Sequence, residues 1–100
     1  MEEDAKRLAQ LLKLLANKNR LLILSDLISC ELISNGRTVG EISGSLPHIS
    51  QSALSQHLSL LRAAGILSSD KQGLNVRYEI ADHRVIEVIA ILKKHYCAVH

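Results

Sequence analysis

Phenylalanine and tryptophan are missing from this chain of 100 residues, and tyrosine occurs twice. A core without that aromatic bulk must be built of leucine and isoleucine, which suits packed helices. With 47% hydrophobic residues, the chain can fill a modest core. Its length makes one domain, and a single core of that size is marginal unless burial is shared with a second copy. No apolar run reaches about eighteen residues, so no membrane span is expected. The N-terminus, Met1-Glu2-Glu3-Asp4, is acidic, whereas a secretory signal begins basic and then apolar. The expected setting is therefore cytoplasmic, where disulfides are rare and mostly redox-sensing or catalytic. A strong excess of one charge is lacking too: the net value is +2, with five histidines besides. That balance does not suit a general nucleic-acid binder, so any such contact needs basic groups placed locally. There is no glycine-rich phosphate loop, internal repeat or low-complexity segment, and an enzyme is not expected. Cys97 and His95 are two apart on one helix and face different ways, a poor nucleophile pair.

What is present centres on Ser50–Gly65, SQSALSQHLSLLRAAG. Ser50 can cap the first turn, and Gly65 stands where helices end. Leu54, Leu58 and Leu61 recur at i, i+4 and i+7 and form one apolar stripe. The opposite face carries Ser52, Gln56, Ser59 and Ala63, with Gln51, Ser55 and Arg62 along one flank. Solvated helix faces usually carry Glu and Lys pairs, and this one does not. A face of Ser and Gln, with His57 beside it, suits mixed donors and acceptors such as the base edges of a major groove. After Gly65 come Ile66–Ser69, a polar turn Asp70-Lys71-Gln72-Gly73, and Asn75–Ile80, where Val76, Tyr78 and Ile80 alternate with Arg77 and Glu79. That alternation is the period of a half-buried strand. A helix followed by a hairpin with a basic tip is the winged-helix arrangement.

Taken in order, residues 1–16 read as a helix with Leu8, Leu11, Leu12 and Leu15 in its stripe. Asn17-Lys18-Asn19 interrupts. A second helix from near Arg20 is apolar nearly all round and is expected at the centre of the core, fading at Ser34-Asn35-Gly36. Thr38 and Glu41 match a capping box, opening a short helix to about Leu46 with Val39, Ile42 and Leu46 inward. Pro47-His48-Ile49 breaks it. Asp82 caps a last helix lined by Val85, Ile86, Ile89, Leu92 and Tyr96, with Val88 and Ile91 as a second apolar edge. The expected fold is mostly α with a small β-hairpin: a winged helix-turn-helix of four helices, two strands and a helix. The helix-turn-helix spans about 38–64 and the wing about 66–80. Helices at about 4–16 and 83–97 carry spare apolar surface, expected to join two copies into a homodimer, the form in which helix-turn-helix readers meet two half-sites.

LLKLLANKNRLLIL (Leu11–Leu24), TVGEI (Thr38–Ile42), SQSALSQHLSLLRAAGIL (Ser50–Leu67), VRYEIAD (Val76–Asp82) and KKHYC (Lys93–Cys97) together resemble the ArsR/SmtB family of small bacterial winged-helix repressors. The ending His95-Tyr96-Cys97 is similar to its HlyU/NolR/BigR-like subgroup. The resemblance implies a homodimer that represses from a palindromic operator. It also implies release by an inducer, often a metal ion or a thiol-reactive species, although some members of the subgroup need none.

The family's cysteine metal site near the third helix has no counterpart in Val39–Gly44. Its second site, on the last helix, is matched by Asp82 and His95, but Arg84 and Ala98 stand where two further ligands belong. A cation in place of a ligand disfavours zinc, although His83 and His100 lie nearby. Asp82 as a helix cap and His95 as a surface histidine is the blander alternative, and no cofactor is expected. Thiol-sensing members of the subgroup pair a C-terminal cysteine with one in the second helix. Cys97 matches the first, while Ser25 fills the place of the second and Cys30 lies five residues beyond it. Cys30 and Cys97 are thus a candidate thiol switch, with Cys30 as a small core residue the alternative.

On this basis Gln51, Ser52, Ser55, Gln56 and His57 are expected in the groove, and Arg62, Lys71, Asn75 and Arg77 at phosphates or the minor groove. Arg77 has an alternative partner in Glu79 or Asp70. The expected partners are a double-stranded DNA operator and a second copy, with no membrane. A dimeric interaction module that has lost DNA binding is the alternative of another class, and a metal-responsive or constitutive repressor the alternative within the family.

Overall fold

Leu54, Leu58 and Leu61 are fully buried, and the fold is assembled around them. The computed structural model describes residues 1–31 and 36–96. In chain order these form α1 (Glu2–Leu15), α2 (Lys18–Glu31), β1 (Arg37–Thr38), α3 (Val39–Ser45), α4 (Gln51–Ala63), β2 (Leu67–Gln72), β3 (Asn75–Ile80) and α5 (His83–Tyr96). Ile23, Leu24 and Leu27 of α2, Ile42 of α3, Ile66 and Leu67 before and in β2, and Val85 and Ile89 of α5 close over the leucines of α4. Each fully buried aliphatic side chain contributes about 2 kcal/mol relative to exposure. The element order and the packing are those of a winged helix-turn-helix.

The helix starts follow from local chemistry. Asn17 does more than interrupt: its Oδ1 accepts from the N–H groups of Asn19 (3.0 Å) and Arg20 (3.1 Å), so α2 begins at Lys18. At α3 the capping box is complete, with Glu41 N–H donating to Thr38 Oγ1 at 3.2 Å and Thr38 N–H to Glu41 Oε1 at 2.8 Å. Asp82 Oδ1 accepts from the Arg84 N–H at 3.1 Å at the start of α5. The expected end of the second helix at Ser34-Asn35 lies outside the described residues. Leu21 is exposed, so α2 is not covered on every side as its composition suggested.

Two features of the sheet differ from the sequence expectation. The first is β1, which pairs antiparallel with β3 (Arg37 with Tyr78, Thr38 with Arg77), so β3 lies between β1 and β2. A strand of two residues is too short to show a period of two. Its presence depends on Gly36, where a Cβ would meet the Tyr78 carbonyl oxygen at 2.7 Å. The second is the hairpin turn. It is Gly73-Leu74, because Gln72 pairs with Asn75, and Lys71 lies within β2 opposite Val76. Gly73 takes φ +64° at the first turn position, which a two-residue hairpin loop needs. Asp70, Lys71 and Gln72 looked like part of the turn because exposed edge strands are polar too.

Candidate nucleic-acid interface

Ser50 caps α4 through Oγ, which accepts from the Ala53 N–H at 3.1 Å. At the other end Gly65 N–H donates to Arg62 O and Ile66 N–H to Leu61 O, both at 3.0 Å, closing the helix with paired bonds. Three buried leucines fix its rotation. Gln51, Ser52, Ser55, Gln56, Ser59 and Arg62 are left exposed on the outer side. Ser59 belongs to this surface as its spacing indicated, although it stood outside the expected reading set.

His57 is placed differently from its neighbours. It is half-buried and its Nδ1 accepts from Arg20 Nε of α2 at 3.3 Å. Arg20 also reaches α1, donating from Nη1 to the Leu14 carbonyl at 3.2 Å. Burial first, and then the Arg20 charge, hold the His57 imidazole below its ordinary pKa and favour the neutral ring. His57 therefore faces the first two helices, not the open face expected from its position next to Gln56. Sequence spacing gives no sign of Arg20 here, because the two residues are 37 apart.

The wing extends beside α4. Lys71, Gln72, Leu74 and Asn75 are exposed around its turn. Arg77 sits nearer the base. Its Nη1 donates to the Gly36 carbonyl at 2.8 Å and lies 3.9 Å from Glu41 Oε1, so neither Glu79 nor Asp70 is its partner. Asp70 lies across from it in β2 and accepts instead from Gln72 Nε2 at 3.3 Å. Arg77 thus ties the wing to β1 and to the first turn of α3. The Thr38 hydrogen bonds first, with Arg77 and Arg37 adding to them, hold the Glu41 carboxyl below its ordinary range. Arg37 bridges α2 and α3 in turn, with Nη1 at 2.6 Å from Asp26 Oδ2 and 2.8 Å from Ser45 Oγ.

At the start of α5 Arg84 grips Asp82 with two donors, Nε to Oδ1 at 2.9 Å and Nη2 to Oδ2 at 2.7 Å. That fork occupies both oxygens of the carboxylate proposed from the sequence as a weak metal ligand, and it lowers the Asp82 pKa. His95 is exposed near the end of α5. Among the described residues no group of three His, Cys, Asp or Glu could hold a metal ion. Cys97 and the side chain of Cys30 lie outside the described residues, and with them the candidate thiol pair. No helix among the described residues is long and apolar enough to cross a membrane.

A family model described as bacterial regulatory protein, arsR family, matches residues 17–69, which contain both helices of the helix-turn-helix. Over 97 residues the chain is 40% identical to the transcriptional activator HlyU of Vibrio cholerae, covering 97% of this chain and 84% of that protein. The structure of HlyU from the same species superposes with a TM-score of 0.83 at 39% identity, covering 97% of this chain and 99% of that one. A structure of reduced HlyU gives 0.79. NolR from Sinorhizobium fredii gives 0.82 at 34% identity over 98% of this chain and 92% of that one. The transcriptional repressor BigR from Xylella fastidiosa gives 0.85 at 28% identity, over 99% and 95%. Sharing their winged helix-turn-helix over nearly its whole length, the chain belongs to the arsR family of bacterial regulatory proteins, which are DNA-binding transcriptional regulators and not enzymes.

Proposed function

We propose that this chain is a repressor that binds a palindromic operator as a homodimer, with α4 in the major groove and the wing beside it. One observation carries this: the outer side of α4 is exposed, polar and free of acidic residues, while its inner side is locked by three buried leucines. Gln51, Ser52, Ser55 and Gln56 read base edges, with Gln56 and Ser52 central. Gln suits adenine, so an A/T-containing site is expected. Arg62, Lys71 and Asn75 hold phosphates or the minor groove. Arg77 braces the wing from its base, and His57 lies beside Arg20 on the flank of α4 opposite Arg62. Dimerisation uses α1 and α5, whose Leu8, Leu12, Ile91 and Leu92 are exposed in the single chain. The working setting is the cytoplasm.

Release by thiol oxidation or persulfidation is favoured over release by metal. The resemblance of His95-Tyr96-Cys97 to thiol-sensing relatives supports the first, and the Arg84 fork on Asp82 opposes the second. Reduced, disulfide-stressed, persulfide-treated and zinc-loaded protein should be compared by gel shift on the promoter of its own operon. Reduced and zinc-loaded protein shift the fragment, and the two thiol-modified forms shift it more weakly. A Cys97→Ser protein that responds to oxidant and persulfide as the parent does replaces the thiol switch with a constitutive repressor.

A further inference from the structure

The hydrogen bonds of Arg20 join three helices: its own α2, α1 through the Leu14 carbonyl and α4 through His57 Nδ1. A guanidinium has donors only, so the ring nitrogen that faces it must be the unprotonated one. The neutral imidazole then carries its proton on Nε2, pointing away from Arg20. Gln10, Lys13, Leu14, Arg20 and Leu60 line an open depression of about 480 Å³ at this junction. Its rim holds two cations and no carboxylate.

An α-helix with its side chains is about 10–12 Å across, and the major groove is about 12 Å wide. A helix lodged there brings both of its flanks against sugar-phosphate, one per strand. The flank of α4 with Gln51, Ser55 and Arg62 serves one strand. The other flank carries Ala53, His57 and Leu60 and has Lys13 and Arg20 beside it.

We propose that Lys13, Arg20 and His57 form a second phosphate-contact surface, on the opposite flank of α4 from Arg62, in which Arg20 orients His57 so that its Nε2–H donates to a phosphate oxygen. This rests on the DNA-binding function proposed above. Arg20 is a positioning residue, Lys13 supplies charge, and His57 makes the directional contact.

Two measurements test it. Long-range ¹⁵N–¹H correlation spectra of the intact protein report which ring nitrogen of His57 is protonated, with and without a duplex from its own promoter. The expected result is an Nε2–H ring in the free protein whose signals shift on saturation with duplex. An Nδ1–H ring, or signals unmoved by bound duplex, overturns the proposal. In parallel, Lys13→Gln, on an exposed position of α1, is expected to shallow the salt dependence of binding by about one unit of slope. An unchanged slope removes Lys13 and with it the second surface. A parent protein that binds the duplex while His57 is unmoved refutes this surface alone, whereas a parent that binds no duplex refutes the DNA-binding function itself.

Discussion

A glutamine on an exposed helix face offers an amide oxygen and two N–H donors, the pattern that matches adenine in the major groove. Gln56 holds that position on α4, between Ser52 and Ser59. Replacing Gln56 with alanine leaves the buried stripe untouched, so folding should survive. Competition binding against operator variants should show discrimination lost at one base per half-site, by about tenfold, since a bidentate base contact is worth about 1–3 kcal/mol. Discrimination equal to the parent at every position removes Gln56 from the reading set. The neighbouring residue gives a pH prediction. His57 is held below its ordinary pKa by burial and by Arg20, so the unfolded chain takes up its proton first as pH falls below about 6.5. The folded form is thereby penalised, and stability should decline on acidification through that window. Urea titrations of the parent and of His57→Gln at pH 7.5 and 5.5 check this: the parent should lose more stability between the two than the variant. Equal losses would place the acid sensitivity elsewhere.

At the scale of elements, α4 was legible in the sequence because several signals coincide: a serine cap, leucines at helical spacing and a closing glycine. The capping box of α3 was legible for the same reason. β1 was not, since two residues carry no period and its existence depends on how closely Gly36 approaches the Tyr78 carbonyl. The wing was legible in its existence but not in its turn, because the polar residues of an exposed strand and of a loop look alike. The partner of Arg77 within the chain was hidden by chain distance: its acceptor at Gly36 is 41 residues away, while Glu79 and Asp70, the alternatives the sequence offered, are near in sequence or register. The same limit hid Arg20. The cap and the wing can be tested separately. Ser50→Ala should cost about 1 kcal/mol in chemical unfolding by leaving the Ala53 N–H without its partner. Lys71→Gln should leave stability alone, weaken binding evenly across sequences and shallow the salt slope by about one unit. An unchanged slope would take Lys71 off the list of phosphate contacts.

On the scale of the whole molecule, the distribution of uncovered apolar surface is uneven. Leu15 of α1 and Val85 and Ile89 of α5 are buried, while Leu8, Leu12, Ile91 and Leu92 on the same two helices remain about half exposed. This is the surface that the proposed homodimer would bury. Ile91→Glu should therefore leave the fold intact and convert a particle of two chains into one of a single chain in sedimentation equilibrium, with operator affinity falling as the paired half-sites are lost. A variant that sediments and binds like the parent would place the interface elsewhere. The binding predictions depend on sequence-specific DNA recognition by α4, which a DNase footprint of the reduced protein on the promoter of its own operon tests most directly. The expected result is protection of two inverted half-sites about 10 base pairs apart centre to centre, or a whole number of turns, with the protection lost in Gln56→Ala at the same concentration. Protection that is absent, or that spreads evenly along the fragment and is the same for parent and variant, would contradict it.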